Sequence, residues 1–342
     1  MLFRSWRPQG ANGAHQVSFG AHADRYKLVS TTSTTANWGA GDPLATTQLA
    51  VGRTSTNALW MQDAWRVTEG AKLTLGLRGE HWRAYDGLNF SAAPASNVYQ
   101  PNLSATRFSP KASIAWQPAQ NWRATASYGT AYRYPTVTEL YQAVTVSGVV
   151  YTPNPNLAPE RAYSGELALE RMLERGRVRL SLFQESLHDA LISQNSTIPG
   201  TNVIGSSVQN IDSVRSRGVE LGATGNLGSR VQIFAGYTLT DAKITQSFNA
   251  ANIGRRFANI PKHSGSILAN YLLTKRFEIG GQVYAQSRVY GEATAVRTSI
   301  PGYVRFDAMA RYQPVERVEL RLNVLNLTDK RYYDAIYRSN AP

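Results

Sequence analysis

The chain has no cysteine among its 342 residues, so neither a disulfide framework nor thiol chemistry is open to it. It also has no apolar run near the ~18 residues that a membrane helix requires. Its mean hydropathy is −0.33. The missing apolar run and the low mean hydropathy exclude a helical membrane protein. They do not exclude a membrane barrel, whose strands alternate apolar and polar residues and average out as polar. The first residues, Met1 to Pro8, contain no apolar core of a signal peptide. Net charge is +13, yet no basic run is present, which argues against a nucleic-acid partner.

What the chain does have is alternation. Val318, Leu320, Leu322 and Val324 fall on one face of an extended segment, with Glu319, Arg321 and Asn323 on the other. The same pattern returns at Leu73, Leu75 and Leu77 and at Val178, Leu180 and Leu182. It returns again at Ile279, Gly281 and Val283 and at Val304, Phe306 and Ala308. About 13 such strands can be marked, beginning near His15. Tight turns near 68–71, 118–120, 174–176, 226–228, 273–276 and 313–316 alternate with long polar stretches near 28–53, 86–105, 133–159, 193–206, 245–261 and 289–301.

Short and long connections in strict alternation predict an all-β, antiparallel, up-and-down transmembrane β-barrel whose two ends differ. The apolar face then meets lipid and the polar face lines a lumen. Trp116, Trp122, Tyr271 and Tyr312 lie on the apolar face beside tight turns, the placement of an aromatic girdle. The 18 Tyr and 7 Trp suit such girdles.

Three segments carry a family resemblance. The first is Asn323-Val324-Leu325-Asn326-Leu327-Thr328-Asp329-Lys330-Arg331-Tyr332. The second joins Tyr128-Gly129-Thr130-Ala131-Tyr132-Arg133-Tyr134-Pro135-Thr136, with Glu139-Leu140-Tyr141, to Asn154-Pro155-Asn156-Leu157-Ala158-Pro159-Glu160. The third is Arg215-Ser216-Arg217-Gly218-Val219-Glu220-Leu221. In order and spacing these resemble TonB-dependent outer-membrane receptors over nearly the whole chain. The resemblance implies a barrel of about 22 strands, a globular plug in its lumen, and energised uptake of a scarce ligand. It also implies an outer-membrane location among lipid and lipopolysaccharide, and an inner-membrane energising protein, TonB, that pulls on the plug. Residues 1–342 are expected to be a single barrel-domain fragment lacking the plug, the first barrel strands and the closing strand, and unable to transport alone.

Among ligands, a ferric siderophore leads, because anionic iron chelates suit an arginine-rich mouth. Candidate ligand-binding residues in the loops are Tyr134, Tyr141, Tyr151, Arg255, Arg256 and Arg297. No resident metal or cofactor is expected. Haem is the nearest rival, but 136–153 holds no histidine, so Tyr141 or Tyr151 would have to ligate its iron. Cobalamin receptors of the family use carboxylate-rich calcium loops, and no Asp-rich loop is visible here. A passive porin is an alternative of another class. Catalysis is not expected: Glu80-His81 and His188-Asp189 are strand neighbours that point to opposite faces.

Overall fold

The computed structural model describes residues 2–10, 12–37, 39–146, 149–197, 204–247, 250–291 and 299–334. In chain order the first elements are β1 (Leu2–Trp6), β2 (His15–Thr35), β3 (Pro43–Thr68), β4 (Ala71–Ala92), short β5 (Ala95–Tyr99), β6 (Leu103–Ala119) and β7 (Trp122–Arg133). Helix α1 (Val137–Tyr141) and short β8 (Val144–Val146) and β9 (Val149–Thr152) follow. Next come β10 (Glu160–Leu173), β11 (Gly176–Thr197), β12 (Ile204–Leu227), β13 (Val231–Gln246), β14 (His263–Thr274) and β15 (Phe277–Gln286). A small hairpin of β16 (Val289–Tyr290) and β17 (Ser299–Ile300), then β18 (Tyr303–Val315) and β19 (Val318–Val324), complete the described elements.

The long strands form one antiparallel meander, in which each pairs with the next long strand in sequence from β1 to β19. The strands anticipated from His15 onward are all present. β1 is an addition: Leu2–Trp6 pairs with Val17–Ala21, so the N-terminal residues belong to the sheet. One pairing is parallel, β9 beside the start of β12.

Faces follow alternation. Ile114, Ala126, Leu167, Leu182, Val219 and Leu239 stand side by side across six strands on one face. Large apolar residues on this face, such as Leu59, Met61, Leu167 and Leu320, are exposed in the isolated chain. Water would not tolerate so broad an apolar band, whereas hydrocarbon requires it. The girdle residues sit on the same face beside short turns: Trp116 opposite Ala71, Trp122 opposite Arg171, Tyr271 opposite Val231 and Tyr312 opposite Phe277. A second aromatic row, not marked in the sequence, stands six residues further up, at Tyr128 and Tyr237.

The polar stretches near 28–53, 86–105 and 193–206 differ from expectation. They are largely strand, because β2 runs on to Thr35, β3 begins at Pro43, and β11 and β12 pair as far as Thr197 and Ile204. At ~3.4 Å per residue, strands this long overshoot a ~25 Å apolar band. The upper parts are hairpins standing in water. Their backbone groups still need partners, so the ladder continues after the apolar alternation has stopped.

Candidate functional site

The segment between β7 and β10 does not stand free. It folds down onto the polar face of the β2–β4 hairpins. Pro135 holds Tyr134 extended, and the next residue starts α1. Thr136 is the N-cap, with φ −78 and ψ 159; its side chain accepts from the Glu139 N–H, while the Glu139 carboxylate accepts from the Thr136 N–H at 2.8 Å. This reciprocal capping box starts a helix too short to be stable by itself. Arg133 locks it further by donating to Glu139 at 2.5 Å.

The helix is held by what it buries. Leu140 and Tyr141 are fully buried, in a cluster with Trp82, Ala84, Ala105, Val137 and Leu157. Burial of two such side chains stabilises by about 1.5–3 kcal/mol each. The Tyr141 ring lies on the backbones of Gly52 in β3 and Gly87 in β4. A Cβ at Gly87 would stand 2.5 Å from the ring's Cε1, so the close approach requires glycine there. Asn89 Nδ2 donates to the Tyr141 carbonyl at 2.7 Å, and Gln100 donates to Asn89 at 2.9 Å. Nearer the short turns than Tyr141, Tyr134 stacks on Trp82 with centroids 5.7 Å apart.

The second half of the motif is a clasp. Asn154 Nδ2 donates to the Val208 carbonyl at 3.0 Å, and the Asn154 N–H to the Glu139 carbonyl at 3.1 Å. Asn210 accepts from the Ala158 N–H at 2.9 Å and donates to the Ala158 and Asp189 carbonyls. Glu160 accepts from the Leu191 N–H at 2.9 Å. Leu157 adds its side chain to the buried cluster. The two halves of this motif are therefore the two ends of one strap, fixed to β2–β4 on one side and to β11–β12 on the other.

Burial pushes the Tyr134 phenol up to about 12, with the Glu80 carboxylate adding to the effect. Burial also raises Tyr141, helped by Asp86. Neither hydroxyl has a protein hydrogen-bond partner. Both are held as neutral phenols, the form least suited to ligating iron as phenolate.

Below the strap the polar face carries ion pairs. Arg78 meets Glu80 at 2.8 Å, Arg179 meets Glu166 at 2.6 Å, and Arg311 joins Glu278 at 2.8 Å and Glu319 at 3.2 Å. At Gly218, in the third motif, a Cβ would run into the Phe183 ring and the Leu239 carbonyl. The terminal motif is a second clasp. Asp307 accepts from the Asn326 N–H at 2.9 Å, Asn326 turns at φ 55, and Tyr332 stacks on Tyr303 at 4.2 Å. Arg305 donates to Tyr332 at 3.2 Å and pairs with Asp307 at 3.0 Å.

The family model for the TonB dependent receptor-like β-barrel matches residues 3–327. The chain belongs to the TonB-dependent receptors. It is similar to the probable TonB-dependent receptor BfrD of Bordetella pertussis, 29% identical over 296 residues, which cover 83% of this chain and 38% of BfrD. It is 24% identical over 297 residues to the probable TonB-dependent siderophore receptor PiuA of Acinetobacter baumannii, again 83% of this chain and 38% of the relative. The crystal structure of PiuA superposes with a TM-score of 0.72 at 20% identity, covering 97% of this chain and 51% of that one. The chain spans about half the length of that solved receptor and less of the curated relatives. Its wall is thus part of an outer-membrane β-barrel, with the polar face toward the lumen.

Within that frame the sequence-marked residues separate. Tyr134 and Tyr141 come together in the strap, Tyr134 partly exposed and Tyr141 with no exposed surface. Arg255 and Arg256 follow the turn after β13. The Arg256 backbone bridges to Lys243, which puts it on the outer face. Tyr151 lies in β9, its backbone beside Ser206, and its side chain is outside the described residues. Arg297 falls outside the described residues altogether. Sequence reasoning missed Gly52, Gly87 and Trp82 as the seat of the strap. Only the φ-independent demand for small residues opposite a distant tyrosine singles them out, and that demand is invisible before the fold is known.

Proposed function

We propose that the protein to which this barrel wall belongs takes up a ferric siderophore across the outer membrane, energised by the inner-membrane TonB protein through a plug seated in the lumen. The kinship with PiuA, whose name records a siderophore receptor, carries this reading. The build of the mouth supports it. A capped and buried strap holds Tyr134 and Arg133 at the lumen entrance, and Arg255 lies in the β13–β14 connection. Arginine recognises planar, oxygen-rich anionic chelates by paired hydrogen bonds. Tyr141 is assigned to holding the strap. The Tyr134 phenol hydroxyl is buried and neutral, which disfavours it as a phenolate ligand to haem iron.

The test is uptake of radiolabelled ferric siderophores by a receptor-deficient strain carrying the full-length gene. Arg255→Glu is expected to weaken uptake and flatten its salt dependence. An unchanged response would remove Arg255 from the site. Uptake of haem but of no siderophore would replace the substrate class.

A further inference from the structure

The outer face holds a feature that uptake does not use. From Leu227 to Val214, β12 pairs with β13 without a register shift, so every second residue keeps the lipid-facing side. Low on this stretch are Ala223, Ala235, Gly265 and Ala285, small residues on four adjacent strands. Leu221 and Ile267 wall them, leaving an apolar furrow of about 490 Å³. At its upper end the Tyr237 hydroxyl and His263 Nδ1 lie 2.7 Å apart. Two rungs higher, Arg217 stands opposite Asp241 and Arg215 opposite Lys243, and Arg256, in the connection between β13 and β14, bridges to Lys243. Asp241 is the one carboxylate in this group, 3.2 Å from Lys243 and 3.7 Å from Arg217.

The height of the cluster decides what it meets. Lys243 lies ~41 Å along β13 from Val231 at ~3.4 Å per residue. With a strand tilt near 40° it stands ~31 Å above the short turn, just beyond a ~25 Å apolar band. That is the level of outer-leaflet headgroups.

We infer that this strip is a seat for one phosphorylated glycolipid of the outer leaflet, an acyl chain lying in the Ala223–Ala285 furrow and a phosphate held by Arg215, Arg217, Lys243 and Arg256. Four cations against one carboxylate supply the charge complement, and the guanidinium forks fit phosphate oxygens. The Tyr237–His263 pair takes the boundary between chain and headgroup, where amphipathic rings settle.

The test uses the full-length receptor in nanodiscs containing either bisphosphorylated lipopolysaccharide or the same lipid after phosphatase treatment, with retained glycolipid counted by native mass spectrometry. Wild type is expected to retain the phosphorylated lipid roughly 10-fold better, as charge-assisted contacts require. The R215E/K243E variant should lose that preference, and R215Q/K243Q serves if reversal prevents folding, judged by heat-modifiable migration. The A223L/A285L variant, which fills the furrow with groups lipid tolerates, should lower retention of both lipids while keeping the preference. Equal retention of both lipids by wild type, an unchanged preference in the charge variants, or unaltered retention in the filled variant would overturn the assignment. Displacement by inorganic phosphate alone would show a free-anion site instead and would overturn it as well.

Discussion

The lower wall and the upper hairpins are made of the same strands and differ in what surrounds them. Near the short turns, β11 presents Val178, Leu180 and Leu182 to one side and Arg177, Arg179 and Ser181 to the other. Each face there has its own medium, hydrocarbon or lumen, and composition follows face. In β2 and β3 above Tyr26 and Thr54, both faces meet water or the strap, and Thr, Ser and Gln occur on either side. The ladder is as continuous in one region as in the other. Alternation therefore reports the medium on each side of a strand, while hydrogen bonding alone decides that there is a strand.

Breaking the lower wall gives the largest effect. Leu180→Arg is expected to cost about 2–4 kcal/mol in barrel stability near the midplane, read as loss of outer-membrane assembly of the full-length receptor. Leu320→Arg should behave alike, and Asn323→Arg, across the strand on the lumen face, should assemble. Arg at Ser181 is a different matter. Alternation marks it as a lumen position, but it is only 2% exposed and accepts from Arg179 Nε at 3.1 Å, so overpacking should destabilise it too.

The strap, in the upper region, should respond next. Gly87→Ala drives a methyl into the Tyr141 ring and is expected to cost about 1–3 kcal/mol locally. Assembly should survive, while hydrogen exchange at 136–142 and proteolysis of the 134–159 segment should rise. Unchanged protection would mean that the strap is not held by that contact.

The Tyr134 phenol gives a pH test of the same seat. Its value with the strap docked, about 12, lies above the ordinary 10.0, so the docked state is fully favoured below pH 10. The advantage of docking is then lost as pH climbs toward 12, where the undocked phenol ionises first. Trp82 fluorescence, sensitive to the stacked ring, should change over this window in the wild type and not in Tyr134→Phe.

The smallest effect belongs to the hairpin tips. Leu44→Arg, at 70% exposure above the apolar band, should alter stability by no more than about 0.5 kcal/mol. A penalty like that of Leu180→Arg would place lipid around the upper hairpins and erase the contrast between the two regions.

The pattern of residues alone determined the long wall strands from His15 onward, the facing of Leu180 and Leu320, the girdle at Trp116, Trp122, Tyr271 and Tyr312, and the family. All of these rest on periodicity within one strand or on local motifs, which are properties of short stretches of chain. Strand β1 escaped notice because five residues are too few to establish a period, and the upper hairpins because water on both faces leaves none. Only the tertiary structure decided that Tyr141 is a peg seated on Gly52 and Gly87, since the three lie on different elements. It likewise decided that four cations, from two strands and the connection after them, gather above one furrow. Such groupings depend on register between strands, and register is set by pairing over the whole sheet rather than by any one segment.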